Sequence, residues 1–275
     1  PISMLPSEPN IFHGRDSEVS DIINAFAKGT PKIAILGAGG MGKTCLARAV
    51  LHHPTITTQY QQHRVFVACD SVSTAGDVVA LIRSYVGLKP GKDLTRPIIQ
   101  YFSSGPASLL ILDNLETIWE GAQNRRAIEE FSSDLTEIQH LALIITMRGA
   151  ERPAKVHWTR PFLPPLQPLS HNAAHQTFID IAEDHHDPKD IDKILFITDN
   201  MPLPIDLIAH LVDGEGCPTI LARWKIEKTA LLSDGHDQRS NLEISISLSL
   251  ASPRIVALPD ARSLLGLLSM LPDGL

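Results

Sequence analysis

The chain has 275 residues, a hydrophobic fraction of 43% and a formal net charge of −7, from 24 basic and 31 acidic residues. These values are typical of a globular protein and argue against a surface devoted to nucleic acid. No apolar run approaches the roughly 18 residues that span a bilayer. The three cysteines lack metal-like or disulfide-like spacing, so we expect a reducing, cytoplasmic setting and no membrane partner.

The first predicted elements are a helix and a buried strand. An apolar stripe at i, i+3, i+4 and i+7 indicates the helix, which Gly29 and Pro31 end. The stripe consists of Val19, Ile22, Ile23 and Phe26. The run from Lys32 to Leu36 is short, nearly all apolar and followed by glycine. This pattern is typical of a strand that is covered on both faces of a parallel sheet.

Similar apolar runs follow along the chain, at 65–68, 109–112 and 141–145. Helix-like segments separate these runs. Strands that alternate with helices predict an α/β fold with a parallel sheet flanked by helices. We expect a fifth strand from Arg160 to Leu166, short or at the sheet edge because it contains Pro161, Pro164 and Pro165.

Composition predicts where the domains divide. The proline-rich stretch from Pro161 to Pro168 is the expected boundary between a nucleotide-binding domain (1–167) and a small helical domain (168–235). Beyond Asn241 the pattern is ambiguous. Isoleucine or leucine alternates with serine from Ile244 to Leu250, as in a strand, but Ile244 and Leu248 also fit one helix face. The chain starts without Met and stops after an apolar stretch, so we expect it to be part of a longer protein.

Residues 37–44 match the phosphate-loop pattern G-x-x-x-x-G-K-[ST]. Glycines let successive backbone N–H groups turn toward a phosphate, and the helix that follows directs its positive dipole end at the same anion. Lys43 adds a charge for the β- and γ-phosphates, and the hydroxyl of Thr44 suits a Mg²⁺ ligand. The predicted nucleotide-binding residues here are Gly37, Gly39, Gly40, Met41, Gly42, Lys43, Thr44 and Cys45.

Two further strands end in chemically useful residues. Asp113 follows the apolar run 109–112, and we expect it to hold Mg²⁺ together with Thr44, because ligands gather at this edge of a parallel sheet. The next residue is Asn114, so Glu116 is the remaining candidate for a catalytic base. The run 141–145 leads to Thr146 and Arg148, and Arg148 is predicted to sense the γ-phosphate. Fast hydrolysis is not expected.

Four segments in this order resemble the NB-ARC domain of the STAND-class P-loop NTPases, which include plant disease-resistance proteins, apoptosome scaffolds and many fungal proteins. They are Phe12-His13-Gly14-Arg15-Asp16, the phosphate loop, Leu110-Ile111-Leu112-Asp113-Asn114, and Asn200-Met201-Pro202-Leu203-Pro204. The resemblance implies that Phe12, His13 and Arg15 lie near the adenine and that Pro204 covers the base. It also implies that residues 236–275 begin a winged-helix domain, which favours helix over strand for 244–250.

The chain departs from that family in two places. Asn114 stands where plant members have a second aspartate, which weakens an expectation of hydrolysis. Met201-Pro202 replaces the usual Gly-Leu pair, but Pro204 is retained.

The resemblance implies a signalling switch of the innate-immunity type, at most a slow ATPase. ADP would hold the module closed, and exchange for ATP would let it self-associate, with effector and sensor domains outside this segment. Two alternatives stay open: an ATP-hydrolysing or phosphotransferase enzyme, and a STAND-type transcription regulator. Nucleic acid is otherwise not expected as a partner. A GTPase is disfavoured because no N-K-x-D segment is present.

Overall fold

The computed structural model describes residues 5–70, 72–89, 95–119, 122–183 and 185–233. It also describes the short pieces 245–246, 249–250, 253–256, 260 and 263–264. The chain forms two compact units. The first takes most of the chain up to Leu166, whereas Asn10–Arg15 and Gly40–Gly42 belong to the second unit with the residues from Gln167 onward.

The first unit alternates helices with four strands. In chain order these are α1 (Asp16–Ala27), β1 (Lys32–Gly37), α2 (Lys43–His52), α3 (Pro54–Tyr60), β2 (Arg64–Ala68), α4 (Ala75–Tyr85), α5 (Arg96–Ser104), β3 (Ser108–Asp113), α6 (Glu116–Trp119), α7 (Ala122–Thr136) and β4 (Leu141–Arg148).

The four strands form one parallel sheet in the order β1-β4-β3-β2. Every residue of β1 and β3 is buried, as expected for strands covered by helices on both faces. The register pairs Gly37 with Arg148 and Ala68 with Asp113. All four strands therefore end at one edge of the sheet. The predicted α/β fold is confirmed.

The predicted fifth strand is wrong. The segment beside β1 makes only an isolated bridge, between Gly37 and Leu166. Its backbone N–H groups reach β1 at two places, from Thr159 to the Lys32 carbonyl (3.0 Å) and from Leu166 to the Leu36 carbonyl (2.7 Å). The prolines between these contacts have no N–H to donate, so a continuous ladder cannot form.

The regular elements described in the second unit are all helices. Its helices are α8 (His171–Ala182), α9 (Pro188–Ile197), α10 (Pro202–Glu215), α11 (Cys217–Ser233) and the short α12 (Pro253–Val256). Phe178, Ile194, Ile208 and Trp224 belong to its apolar core. Ser170 caps α8, because its side chain accepts a hydrogen bond from the backbone N–H of Ala173.

Most of the predicted winged-helix segment, 236–275, lies outside the described residues, and so do Ile244 and Leu248. Ser245, Ile246, Ser249 and Leu250 are helical. The hydroxyl of Ser249 donates to the carbonyl of Ser245 at 2.9 Å. For these four residues the strand interpretation is wrong. Of the described helices, none has the length and hydropathy to span a membrane.

Candidate functional site

The phosphate loop leads from β1 into α2 at the carboxyl edge of the sheet. Gly42 has a φ of 81°, a conformation that glycine adopts without strain, and α2 begins at the next residue. Lys43 is buried, with 6% of its surface exposed. Its Nζ donates to the carbonyls of Gly37 (3.2 Å) and Ala38 (3.0 Å). Because burial removes water from this ammonium group, its pKa is lowered; Glu116 opposes that shift, and Arg148 adds to it.

Asp113 lies at the end of β3 with two hydroxyl groups directed at it. Thr44 Oγ1 donates to its carboxylate at 2.9 and 3.1 Å, and Thr146 Oγ1 donates to Oδ1 at 2.6 Å. Strand β4 lies next to β3 in the sheet, which places Thr146 beside Asp113. The structure therefore brings together the two predicted Mg²⁺ ligands, Thr44 and Asp113.

The carboxylate of Asp113 is almost completely buried, with 2% of the residue exposed. Desolvation raises its pKa, and the hydrogen bonds from Thr146 and Thr44 partly oppose that shift. The nearby carboxylates of Asp70 and Glu116 raise it further. A buried acid with this much negative charge around it is an attractive position for a cation.

Arg148 and Glu116 form an ion pair at the same edge. Arg148 Nε lies 3.1 Å from Glu116 Oε1, with 68% of the arginine side chain but only 11% of the glutamate side chain exposed. The other carboxylate oxygen, Glu116 Oε2, is buried without a hydrogen-bond partner. A Cβ added at Gly39 would lie 3.8 Å from Arg148 Cζ, so the guanidinium reaches the phosphate loop. Arg148, the predicted γ-phosphate sensor, is therefore paired with Glu116, the predicted catalytic base.

Asp70 is a site residue that we did not predict. It comes two residues after β2 and accepts a hydrogen bond from the side-chain amide of Asn114. Asn114 has a positive φ of 58°, and its backbone N–H donates to Thr146 Oγ1 at 2.9 Å. An acid that follows a buried strand was the signal that identified Asp113, and the same signal follows the run 65–68.

The second unit contains the predicted adenine-side residues. Arg15 is 5% exposed, and its Nη2 donates to the carbonyls of Met41 (3.1 Å) and Gln167 (2.7 Å). His13 Nε2 lies 2.6 Å from Asp180 Oδ2. Phe12 is half-buried and Pro204 is buried in α10.

In the same unit the backbone N–H of Leu203 donates to the carbonyl of Gly40 at 3.1 Å. Arg15, Gly40 and Met41 are therefore fixed by the helical unit's own contacts. Cys45 is half-buried on α2 of the first unit. The adenine contacts expected of Phe12, His13, Arg15, Cys45 and Pro204 stay predictions.

Solved structures with a similar fold include ATPases. The Walker-type ATPase of Pyrococcus abyssi is 14% identical with a TM-score of 0.58, and the match covers 91% of this chain and 80% of that one. The ORC1 protein of Aeropyrum pernix, solved in complex with DNA, is 15% identical with a TM-score of 0.58, covering 96% and 85%. At these identities the likeness shows the fold alone.

A STAND protein with a tetratricopeptide repeat sensor from Pyrococcus horikoshii is 16% identical with a TM-score of 0.54. The match covers 83% of this chain but only 35% of that protein, so the chain spans about a third of its length. Among curated proteins, none is similar enough in sequence to match this chain.

A protein-family comparison matches residues 4–157 to the novel STAND NTPase 1 family. That range exceeds half of the chain and includes the phosphate loop, Asp113 and Arg148. The parallel sheet and the Thr44–Asp113 contact agree with a P-loop NTPase. The chain belongs to the novel STAND NTPase 1 family.

Proposed function

We propose that this protein is an adenine-nucleotide-binding switch module that holds ADP or ATP with Mg²⁺ and turns it over slowly or not at all. The observation that supports this most directly is the hydrogen-bonded pair of Thr44 and Asp113 beside the buried Lys43. A hydroxyl and a carboxylate in contact at the end of a phosphate loop are the two protein groups that a Mg-nucleotide requires.

The residues present fit both the Mg²⁺ ion and the phosphates of the nucleotide. Mg²⁺ prefers oxygen ligands, and in phosphate-binding sites it takes one or two from the protein and the others from phosphate and water. Thr44 and Asp113 supply these oxygens, and the metal would neutralise charge on the phosphates. Lys43, now bonded to two backbone carbonyls, would exchange them for phosphate oxygens.

The ion pair between Arg148 and Glu116 favours retention of the nucleotide over hydrolysis. A general base must accept a proton from the attacking water, and one oxygen of the Glu116 carboxylate is already occupied by the guanidinium of Arg148. Arg148 is also the group expected to contact the γ-phosphate. While it pairs with Glu116, the Arg148 guanidinium is engaged by a carboxylate and not by a phosphate.

We further propose that the module is of the NB-ARC type, with exchange of ADP for ATP leading to self-association. Support comes from the ordered motifs at 12–16 and 200–204, which lie in the second unit except for Asp16. Within that unit, Arg15 and Leu203 bond to Met41 and Gly40, the middle of the phosphate-loop motif. A ligand that changes the loop tip would therefore bias contacts within the helical unit.

The nucleotide that the protein retains is the direct test. The purified protein is denatured and the released nucleotide identified by chromatography, and the stripped protein is titrated with ADP, ATP and GDP by calorimetry, with Mg²⁺ and with EDTA. We expect an adenine nucleotide and Mg²⁺-dependent binding, with an ATPase rate well below about 1 s⁻¹, the lower limit of typical kinases. Absence of ADP and ATP binding would overturn the proposal.

Variants locate the site. Lys43→Ala should lose about tenfold or more in affinity, because a charge-assisted contact to phosphate is removed. Lys193→Ala is the matched control, since Lys193 is an exposed lysine of α9 that pairs with Asp190. Sedimentation with ATP and with ADP tests self-association separately. A monomer in both nucleotides would refute the switch while leaving nucleotide binding intact.

A second candidate function is a STAND-type transcription regulator. One structurally similar protein, the ORC1 protein, was solved in complex with DNA. The net charge of −7 speaks against a broad DNA surface on this chain. Binding to duplex DNA that weakens steeply with added salt would favour this alternative. The third candidate, an ATP-hydrolysing or phosphotransferase enzyme, requires turnover at about 1–100 s⁻¹.

A further inference from the structure

A cavity of about 200 Å³ lies in the first unit beside the start of β1, away from the phosphate loop at the end of that strand. Its walls come from α1, from the first residues of β1 and from 152–163. Arg152, Trp158, Arg160 and Phe162 also line an adjoining cavity of about 370 Å³. The two cavities form one recess, which we call the β1 recess.

The β1 recess exists because the segment beside β1 is too long for the strand it accompanies. Hydrogen bonds join Thr159 to Lys32 and Leu166 to Leu36, which are four positions apart on β1 but seven apart on the segment. The three extra residues move away from the sheet and leave a gap. The gap follows from the chain's own register and needs no side chain to be displaced.

Ala34 lies midway between those two hydrogen-bonded positions and lines the gap. Peptide groups alternate in direction along a strand, so the N–H and C=O of Ala34 point the same way as those of Lys32 and Leu36. The floor of the β1 recess therefore presents one backbone donor and one acceptor. This pair suits a polar edge of a small ring.

The rim of the β1 recess is basic and aromatic. Arg152 Cζ and Arg160 Cζ lie 4.6 and 4.9 Å from the centre of the Phe162 ring, and Phe162 is 42% exposed. Lys28 and a single acid, Asp21, line the same cavity. Across the described ranges, neither arginine forms an ion pair with a carboxylate. Arg152 Nη2 also donates to the carbonyl of Leu163 at 2.6 Å. Two like charges beside one ring, which with Lys28 outnumber the single acid Asp21, attract an anion.

The dimensions exclude a strand from another chain as the occupant. The open part of β1 spans about 13 Å at 3.3 Å per residue, and both of its ends are already hydrogen-bonded to the chain itself. Strand addition requires several consecutive unpaired peptide groups. Apolar walls from Ile22, Ala25 and Leu163 suit a ring instead.

We propose that the β1 recess binds a small anionic aromatic molecule, a planar ring that bears a carboxylate or a phosphate. The ring lies against the apolar walls with a polar edge at Ala34, and the anionic group contacts Arg152 and Arg160. This site is separate from the phosphate loop and does not depend on the function proposed for it.

Matched probes test the charge requirement. The protein is titrated with 2-naphthoate, 1-naphthyl phosphate and neutral 2-naphthamide, once alone and once with Mg-ADP as a competitor for the phosphate loop. Binding is followed by calorimetry and by the fluorescence of Trp158, in a Trp119→Phe, Trp224→Phe background. We expect an anion to bind at least about tenfold more tightly than the amide. Whichever anion binds more tightly shows whether the site prefers a carboxylate or a phosphate.

Variants test the location. Arg160→Gln and the double variant with Arg152→Gln should lose the preference for the anion, whereas Ala25→Leu should block binding by filling the cavity. Arg126→Gln is the control, because Arg126 is an exposed arginine of α7 paired with Glu130. Equal binding of amide and anions, no binding in the millimolar range, or binding unchanged by Arg160→Gln would each overturn the proposal. Arg160 is exposed, so its replacement does not threaten folding.

Discussion

Replacement of Thr146 by valine should lower the free energy of unfolding of the first unit by more than the loss of a single hydroxyl group usually does. Thr146 is fully buried, and valine has nearly the same shape. Its hydroxyl donates to Asp113 Oδ1 at 2.6 Å and accepts the backbone N–H of Asn114 at 2.9 Å. One hydroxyl thus satisfies a buried carboxylate and a backbone donor at the same time.

The two bonds set the magnitude. A hydrogen bond to a charged group contributes about 1.5–3 kcal/mol, and a neutral one about 0.5–1.5 kcal/mol. Both partners of Thr146 remain in place after the substitution, and the carboxylate is almost completely buried, so little of this is recovered from water. We therefore expect Thr146→Val to lower the free energy of unfolding by about 2–4 kcal/mol.

Thr198→Val provides the matched control. Thr198 is equally buried, but its hydroxyl donates to the carbonyls of Ile194 and Leu195, and the Ile194 carbonyl also accepts the Thr198 backbone N–H. Its loss leaves that acceptor satisfied and should cost about 1 kcal/mol or less.

Urea unfolding followed by tryptophan fluorescence measures both variants. Trp119 and Trp158 lie in the first unit and Trp224 lies in the second. A Trp224→Phe background therefore reports unfolding of the first unit, and a background with both Trp119→Phe and Trp158→Phe reports unfolding of the second. Each transition is fitted separately, since two units need not unfold together. If Thr146→Val costs no more than Thr198→Val, the central role that we assign to this hydroxyl is refuted.

Three further predictions concern other positions. Burial lowers the pKa of Lys32 to about 8. Between about pH 8 and 10.5 the unfolded chain then binds more protons than the folded chain, so the free energy of unfolding rises with pH there by at most about 3 kcal/mol. Urea unfolding should show that this rise is smaller in Lys32→Met. Gly14→Ala should cost about 1–3 kcal/mol in thermal unfolding, because φ is 67° and the added Cβ would overlap Ala173 Cβ; an unchanged melting temperature would contradict this. Arg148→Gln should lower the free energy of unfolding by about 1 kcal/mol, a value reduced because 68% of the arginine side chain is exposed to solvent. Adding Glu116→Gln to the same chain should restore most of that loss. If the effects of the two substitutions simply add, the pair is not coupled.

Much of the first unit could be predicted from the sequence because its signals are local. Short apolar runs predicted all four strands, those of β1 and β3 ending at glycine and aspartate, and burial on both faces of these two strands agrees. The segment 160–166 was expected to form a short or edge strand despite its three prolines, and it does not. Backbone hydrogen bonding decides whether a strand forms, and three prolines remove the donors.

The candidate site was predictable in its residues but not in its partners. Thr44, Asp113 and Arg148 were identified because each stands at the end of a strand or loop where ligands gather. That Glu116 pairs with Arg148, and that Thr146 donates to Asp113, depends on β4 lying between β1 and β3. Strand order is a long-range property, and no local pattern in this sequence specifies it.

The prolines beside β1 also limit how this protein can associate with copies of itself. An edge strand with unpaired N–H groups is a template on which another chain can add a strand. Here the place of that strand is taken by a segment in which Pro161, Pro164 and Pro165 present no N–H. A growing sheet therefore cannot continue across this edge. Self-association at this edge would therefore have to join folded modules through side chains and not through a continued sheet.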